Sequence, residues 1–214
     1  MGELQGSRAT AASETAVHMV SYLEVMPSSM GEAAAGLRQY REASRKDEGR
    51  LEVLQQQGRP DHFAILEMWK DPNAFETHGI AAHTQHFRTQ LQPLCVSPYD
   101  ERLYISLMRS ATLAAPVQGA TYVLTHADAV PAVKDDAIAL LLLLAEASRS
   151  DDGCLRFEIL QQSSRPNHCT IVEMWQNQKA LEAHVMALHT RQFREKFQPM
   201  TGSLYDERLY QALD

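Results

Sequence analysis

The sequence predicts an α+β protein built from two βαββαβ units in tandem, packed sheet to sheet within one chain. Three observations predict it: a long internal repeat, the order of strand-like and helix-like segments in each copy, and a central strand that is apolar on both faces. In the repeat, Leu54 to Tyr104 (LQQQGRPDHFAILEMW…YDERLY) returns as Leu160 to Tyr210 (LQQSSRPNHCTIVEMW…YDERLY) with about half of the paired positions identical, and Trp69 and Trp175 set the offset at 106 residues. Upstream, Glu42-Ala43-Ser44-Arg45 matches Glu146-Ala147-Ser148-Arg149 and Pro27 matches Pro131, both at an offset of 104. The first copy therefore lacks two residues where the second reads Gly153-Cys154-Leu155-Arg156, at a helix-to-strand turn that tolerates a length change.

Each element follows from local pattern. In the second copy, Ala120 to Thr125 is a short β-rich run, and Pro131 opens a helical stretch that ends near Ser148, before an Asp151-Asp152-Gly153 turn. Leu155 to Gln161 alternates apolar and polar residues, and His168 to Trp175 follows a turn containing Ser163, Ser164, Pro166 and Asn167. A helical pair is expected over Lys179 to Phe197, with Tyr205 to Tyr210 as the last strand. The first copy reads the same way over Val17–Val25, Gly31–Arg45, Leu51–Gln55, His62–Trp69, Asn73–Leu91 and Tyr99–Ser106. The expected organisation is a disordered tail over residues 1–15, a repeat over 16–107, a linker over 108–119 containing Pro116, and a second repeat over 120–212.

The βαββαβ order is the ferredoxin-like arrangement, an antiparallel sheet with both helices on one face. Its third strand is apolar on both sides, with Phe63, Ile65 and Trp69 pointing one way and Ala64, Leu66 and Met68 the other. The face without helices needs cover, and the duplicated sheet supplies it, closing a shared barrel-like core inside one polypeptide. At roughly 25 cal/mol per Å² this burial contributes enough that neither half is expected to stand alone. Leu140 to Leu144 run unbroken in the second unit's first helix. That calls for a further contact, either with a second chain, giving a homodimer of the two-repeat polypeptide, or with the amino-terminal tail.

Composition excludes several classes of partner. With 44% hydrophobic and 22% charged residues the chain is globular, and a net charge of -7 argues against nucleic acid or an anionic membrane surface. Cys95, Cys154 and Cys169 occupy unmatched positions and form no CxxC, which suggests neither a disulfide framework nor a zinc site. Residues 1–16 lack an apolar core of signal-peptide type, and the longest apolar run, Ala137 to Ala145, is too short to span a bilayer. A cytoplasmic protein with reduced thiols is the expectation.

The residues able to do chemistry recur with the repeat: Glu67, Trp69, His78 and His83 in one copy, Glu173, Trp175, His184 and His189 in the other. Strand alternation puts each Glu and Trp on one face, and the first histidine lies in the apolar stripe of the following helix. Each has a purely structural counterpart: a buried Trp is a core residue first, a buried His is often a hydrogen-bonded one, and Glu67 and Glu173 are expected to pair with Arg102 and Arg208 of the repeated YDERLY strand. Arg59-Pro60 and Arg165-Pro166 read as hairpin turns, and Tyr99, Tyr104, Tyr205 and Tyr210 as strand packing. Histidines five apart on one helix diverge by about 140°, so no metal site is expected.

A βαββαβ unit with E-x-W closing the third strand and H-x4-H on the next helix resembles the antibiotic biosynthesis monooxygenase (ABM) superfamily of dimeric α/β barrels, here as two fused copies over nearly the whole chain. It is similar above all to the quinol-oxidising and autoinducer-degrading members. Ile65 and Ile171 stand where polyketide-oxidising members carry Asn, and His78 and His184 where the heme-degrading branch carries Trp. The resemblance implies oxygenation of a small aromatic, quinol-like substrate by dioxygen with no cofactor. His78 and His184 would be the bases, with His83, His189, Trp69, Trp175, Glu67 and Glu173 binding substrate. Two alternatives stay open on the same scaffold: a non-catalytic or heme-binding small-ligand protein, and an isomerase of a small hydroxyketone.

Overall fold

The computed structural model describes residues 16–109 and 117–213; the expected tail and most of the linker lie outside them. The first unit runs β1 (Val17–Glu24), α1 (Met30–Ala43), β2 (Gly49–Gln56), β3 (His62–Trp69), α2 (Pro72–Ile80), α3 (Ala82–Leu91) and β4 (Asp100–Met108). The second runs β5 (Thr121–Asp128), α4 (Lys134–Ser148), β6 (Cys154–Gln162), β7 (His168–Trp175), α5 (Gln178–Met186), α6 (Leu188–Phe197) and β8 (Asp206–Ala212). The eight strands form one closed barrel in the order β1-β3-β2-β8-β5-β7-β6-β4, every neighbouring pair antiparallel.

Two seams join the units. At one, β2 pairs β8 through Leu54↔Ala212, Gln55↔Gln211 and Gln56↔Tyr210; at the other, β4 pairs β6 from Tyr104↔Gln162 to Met108↔Ile159 with a bulge. Each unit thus lends its last strand to the edge of the other, and closure removes the free edges that an isolated four-stranded sheet would expose. Of the two extra residues in the second copy, one is absorbed as a bulge in β6 between Cys154 and Arg156 and the other lengthens the turn, so that Cys154 pairs with Trp175 where Gly49 pairs with Trp69, and Gly153 at φ +80° precedes the strand.

Strand alternation sorts the core into three layers. Val20, Leu54, Ala64, Leu66, Tyr104, Tyr122, Leu124, Leu160, Val172, Met174 and Tyr210 fill the barrel. Between sheet and helices lie Leu23, Leu37, Val53, Phe63, Ile65 and Phe87 in the first unit, and Val123, Leu141, Phe157, Ile171, Phe193 and Phe197 in the second. Tyr104 and Tyr210 are the strand-packing residues expected, buried at 3% and 1% exposure. Part of the extra cover that α4 calls for comes from the chain itself: Leu107 and Met108 of β4 join its cluster, Leu140 and Leu142 are partly buried there, and Leu143 remains exposed. Among the described residues, no helix is long and apolar enough to cross a membrane.

The barrel interior also holds a charged cluster that crosses the duplication. Arg156 of β6 pairs with Glu158 on its own strand and with Glu52 of β2 across the lumen, both at 2.7 Å, and Arg50 pairs with Glu52. All but Arg50 are buried. Removing the central cation leaves two carboxylates in low dielectric. Arg156→Ala is therefore expected to destabilise the chain by on the order of 3–5 kcal/mol in urea unfolding at neutral pH, whereas a surface pair such as Arg45–Glu42 should change it by about 1 kcal/mol or less.

Candidate active site

The site of the first unit lies between sheet and helices and begins with the chain break that separates α2 from α3. Ala81 is extended (φ −62°, ψ 144°), so the expected helical pair divides between His78 and His83; Ala187 (φ −61°, ψ 147°) does the same in the second unit. The angular argument against the two rings meeting therefore fails, because it assumed one straight helix. His78 in the last turn of α2 and His83 in the first turn of α3 both reach Asp47 Oδ2, from Nδ1 at 2.6 Å and Nε2 at 3.0 Å. His184 Nδ1 and His189 Nε2 reach Asp151 Oδ2 at 2.8 and 3.1 Å.

The ligand-bearing atoms of each Asp-His-His group lie within 4.8 Å of one another, so each group brings together the donor types of a metal site that the spacing argument had set apart. As they stand, both groups are satisfied by hydrogen bonds. A carboxylate offers only lone pairs, so each imidazole meets it as an N–H donor. His78 therefore carries its proton on Nδ1 and presents the Nε2 lone pair to Tyr40, whose hydroxyl donates at 2.6 Å. Asp47 and Tyr40 were not anticipated. Asp47 had a signal, the repeated acidic pair before glycine (Asp47-Glu48-Gly49, Asp151-Asp152-Gly153), hidden by the two-residue slip; Tyr40 is Leu144 in the other copy and had none.

The floor of the site is the Glu-x-Trp of β3. Trp69 Nε1–H donates to Glu67 Oε2 at 2.9 Å, and Trp175 to Glu173 at 2.8 Å. The expected pairing with Arg102 and Arg208 does not form. Those arginines point into the barrel and bind Asp100 and Asp206, while the glutamates face the helices. Trp69 lies flat on the His78 ring at 4.0 Å between centroids, and Trp175 on His184 at 4.5 Å. Gly49 makes room for the first indole: a Cβ there would fall 2.1 Å from Trp69 Cε3. All the predicted residues are thus gathered around one Asp in each unit. His78 and His184 are buried, and His83 and His189 sit at the partly open rim.

Burial sets the protonation. It lowers the pKa of His78 against the opposing pull of Asp47, and likewise that of His184 beside Asp151, which keeps both imidazoles neutral. It raises Glu67 to about 7 and Glu173 to about 8, against the stabilising Trp hydrogen bond. Glu67 Oε2 lies 4.0 Å from His78 Nε2, and its Oε1 has no partner among the described residues. An open cleft of about 630 Å³ reaches His78 and is lined by Met19, Phe75 and Arg88; a second of about 480 Å³ runs past Tyr99, Leu91 and Arg88, which pairs with Glu101 at 2.6 Å.

The raised glutamates oppose folding as pH increases. The unfolded chain ionises near pH 4.5, whereas folded Glu67 holds its proton to about 7, so this contribution is favourable below pH 4.5 and declines up to about 7. Glu67→Gln keeps an acceptor for Trp69 and removes that loss. It is expected to gain on the order of 2 kcal/mol over the parent at pH 8, seen as a rise of several degrees in Tm, and to show no gain at pH 4.

The family model described as "Antibiotic biosynthesis monooxygenase" matches twice, over residues 16–90 and 122–196. "Putative monooxygenase YcnE" of Bacillus subtilis is 29% identical over 82 residues, covering 37% of this chain and 86% of that protein. The crystal structure of a protein described as a "Putative monooxygenase" from Fusobacterium nucleatum superposes with a TM-score of 0.84 at 13% identity, over 94% of this chain and 93% of the other. An "anthrone oxidase-like protein" superposes at 0.72 and 12% identity over 95% and 93%. At such identities the structural likeness is one of fold.

Proposed function

The chain belongs to the antibiotic biosynthesis monooxygenase family, and from that premise and the buried Asp-His pair we propose that it oxygenates quinols or related phenolic molecules with dioxygen and no cofactor. The observation that carries this reading is His78, held neutral by burial and fixed by Asp47 through Nδ1, with an Nε2 lone pair that accepts from the Tyr40 hydroxyl beside an indole and an open cleft. A phenol entering the cleft finds apolar walls in Met19 and Phe75, a base in His78 and a cation in Arg88.

A phenol that displaces the Tyr40 hydroxyl from Nε2 gives its proton to His78, which becomes an imidazolium facing Asp47, as an oriented base requires. The phenolate gives one electron to dioxygen, and the resulting radical pair joins at a ring carbon to form a hydroperoxide. Loss of water from that carbon leaves a carbonyl: one oxygen atom ends in the quinone and the other in water, with the four electrons supplied by the substrate. The dry layer between helix and sheet protects the intermediate. The name of the anthrone oxidase-like neighbour is consistent with this class of ring oxidation.

A second reading follows from Glu67, whose pKa of about 7 and unpartnered Oε1 also suit a general base. The pH profile separates them. Oxygen uptake with a panel of hydroquinones should rise through an acid limb below pH 6.5 if His78 is the base, and near 7 if Glu67 is. Asp47 raises the His78 pKa, so Asp47→Asn should move a His78 limb lower still and cut the rate by about 10²–10⁴. A limb unmoved by Asp47→Asn would assign the base to Glu67. Turnover without oxygen uptake would indicate isomerisation, and a Soret band on adding heme without turnover a binding protein.

A further inference from the structure

The two repeats share the Asp-His-His group but not its surroundings, and we propose that the amino-terminal unit alone holds an open ligand site, while the corresponding space in the carboxy-terminal unit is filled and that unit serves to close the barrel. The inference deepens the function proposed above, resting on it only for the aromatic class of ligand. Three matched positions carry it.

The first is Tyr40, whose counterpart is Leu144; each is followed four residues later by a serine that donates to its carbonyl, Ser44 at 2.8 Å and Ser148 at 2.7 Å. Tyr40 completes a chain from Asp47 through both nitrogens of His78, whereas the Leu144 side chain carries no hydrogen-bonding group, and among the described residues His184 has only Thr190 Oγ1 at 3.4 Å beside Nε2. Second, Leu51 and Phe157 face Glu67 and Glu173 at the same register. Leu51 is partly buried, but Phe157 is fully buried and sets its edge against His184 at 5.7 Å and Trp175 at 6.5 Å.

The third is Leu91, which lines the 480 Å³ cleft beside Tyr99. Its counterpart Phe197 stacks on Phe193 at 5.1 Å and meets Tyr205, the counterpart of Tyr99, at 6.3 Å. Two leucine-to-phenylalanine exchanges thus add rings beside the tryptophan and the last strand of the second unit, where the first unit has instead Tyr40 stacked on Phe87 at 4.0 Å under α1. Trp175 is accordingly part of a continuous apolar cluster with Phe157, Leu181, Phe193 and Phe197, while Trp69, equally buried, stands outside the corresponding cluster of its own unit.

The chain contains two tryptophans, one in each site, so each site has its own reporter. Trp175→Phe leaves Trp69 as the emitter and Trp69→Phe leaves Trp175. Both indoles are buried at 0% exposure, so acrylamide reads penetration from the neighbouring cleft, and its quenching slope is expected to be steeper for Trp69; equal slopes, or a steeper one for Trp175, would overturn the inequality. Adding 1,4-naphthoquinone should quench Trp69 saturably and leave Trp175 unaffected beyond the collisional background, and saturable quenching of Trp175 would equally overturn it. If the acrylamide contrast holds but naphthoquinone binds neither site, the inequality stands and the aromatic ligand class fails. Phe157→Leu with Phe197→Leu should open the second site and steepen acrylamide quenching of Trp175. Fluorine NMR of 5-fluorotryptophan in the otherwise unaltered chain gives the same comparison should a Trp→Phe variant not fold.

Discussion

Closure of the barrel is the constraint on which everything else rests. Each four-stranded sheet is apolar on both faces, and its helices cover one of them. The second face is buried only when the other unit is present, and the seams β2–β8 and β4–β6 hold the two together by backbone pairing as well as by packing. Tandem duplication makes this contact intramolecular, so the partner sheet is always at hand and the loss of translational freedom that a dimer incurs does not arise. The charged cluster of Glu52, Arg156 and Glu158 lies across that same interior and ties the register of one half to the other.

Because the barrel takes up the inner face, chemistry is left to the outer layer, between sheet and helices. There the decisive local event is the break at Ala81. An unbroken helix would send His78 and His83 apart; the break turns both rings onto Asp47. The buried imidazole is neutral because charging it there is costly, and it is oriented because its Nδ1–H has a fixed acceptor. Glu67 shows the same physics with the opposite sign, held protonated to near neutrality by burial while accepting from the indole. A base and a weak acid thus lie 4.0 Å apart in a dry layer without any strongly basic residue of unusual type.

Duplication also lets the halves diverge. Exchanges such as Tyr40 for Leu144 and Leu51 for Phe157 keep the layer packed and the barrel closed, because the volume lost or gained lies on the helix side of the sheet and away from the seams. The fold asks of each copy that it close the barrel; it does not ask that each copy keep a pocket.

The strand and helix order, the duplication, the two apolar faces and the repeated Glu, Trp and His positions were legible in the residues themselves, because periodicity of two and 3.6 and a shared offset are properties of sequence. The salt bridge expected for Glu67 was not, since Arg102 belongs to a strand whose own alternation points it to the opposite face. Asp47 and Tyr40 also escaped, lying in a turn and on a helix whose approach to His78 depends on how α1 and α2 cross the sheet. Sequence by itself determined which segments are strands and helices and which side chains they turn toward the helix layer. Only tertiary structure decided that two histidines share one carboxylate, because a single extended residue at Ala81 redirects the chain, and no periodicity records a break whose reason is the packing around it.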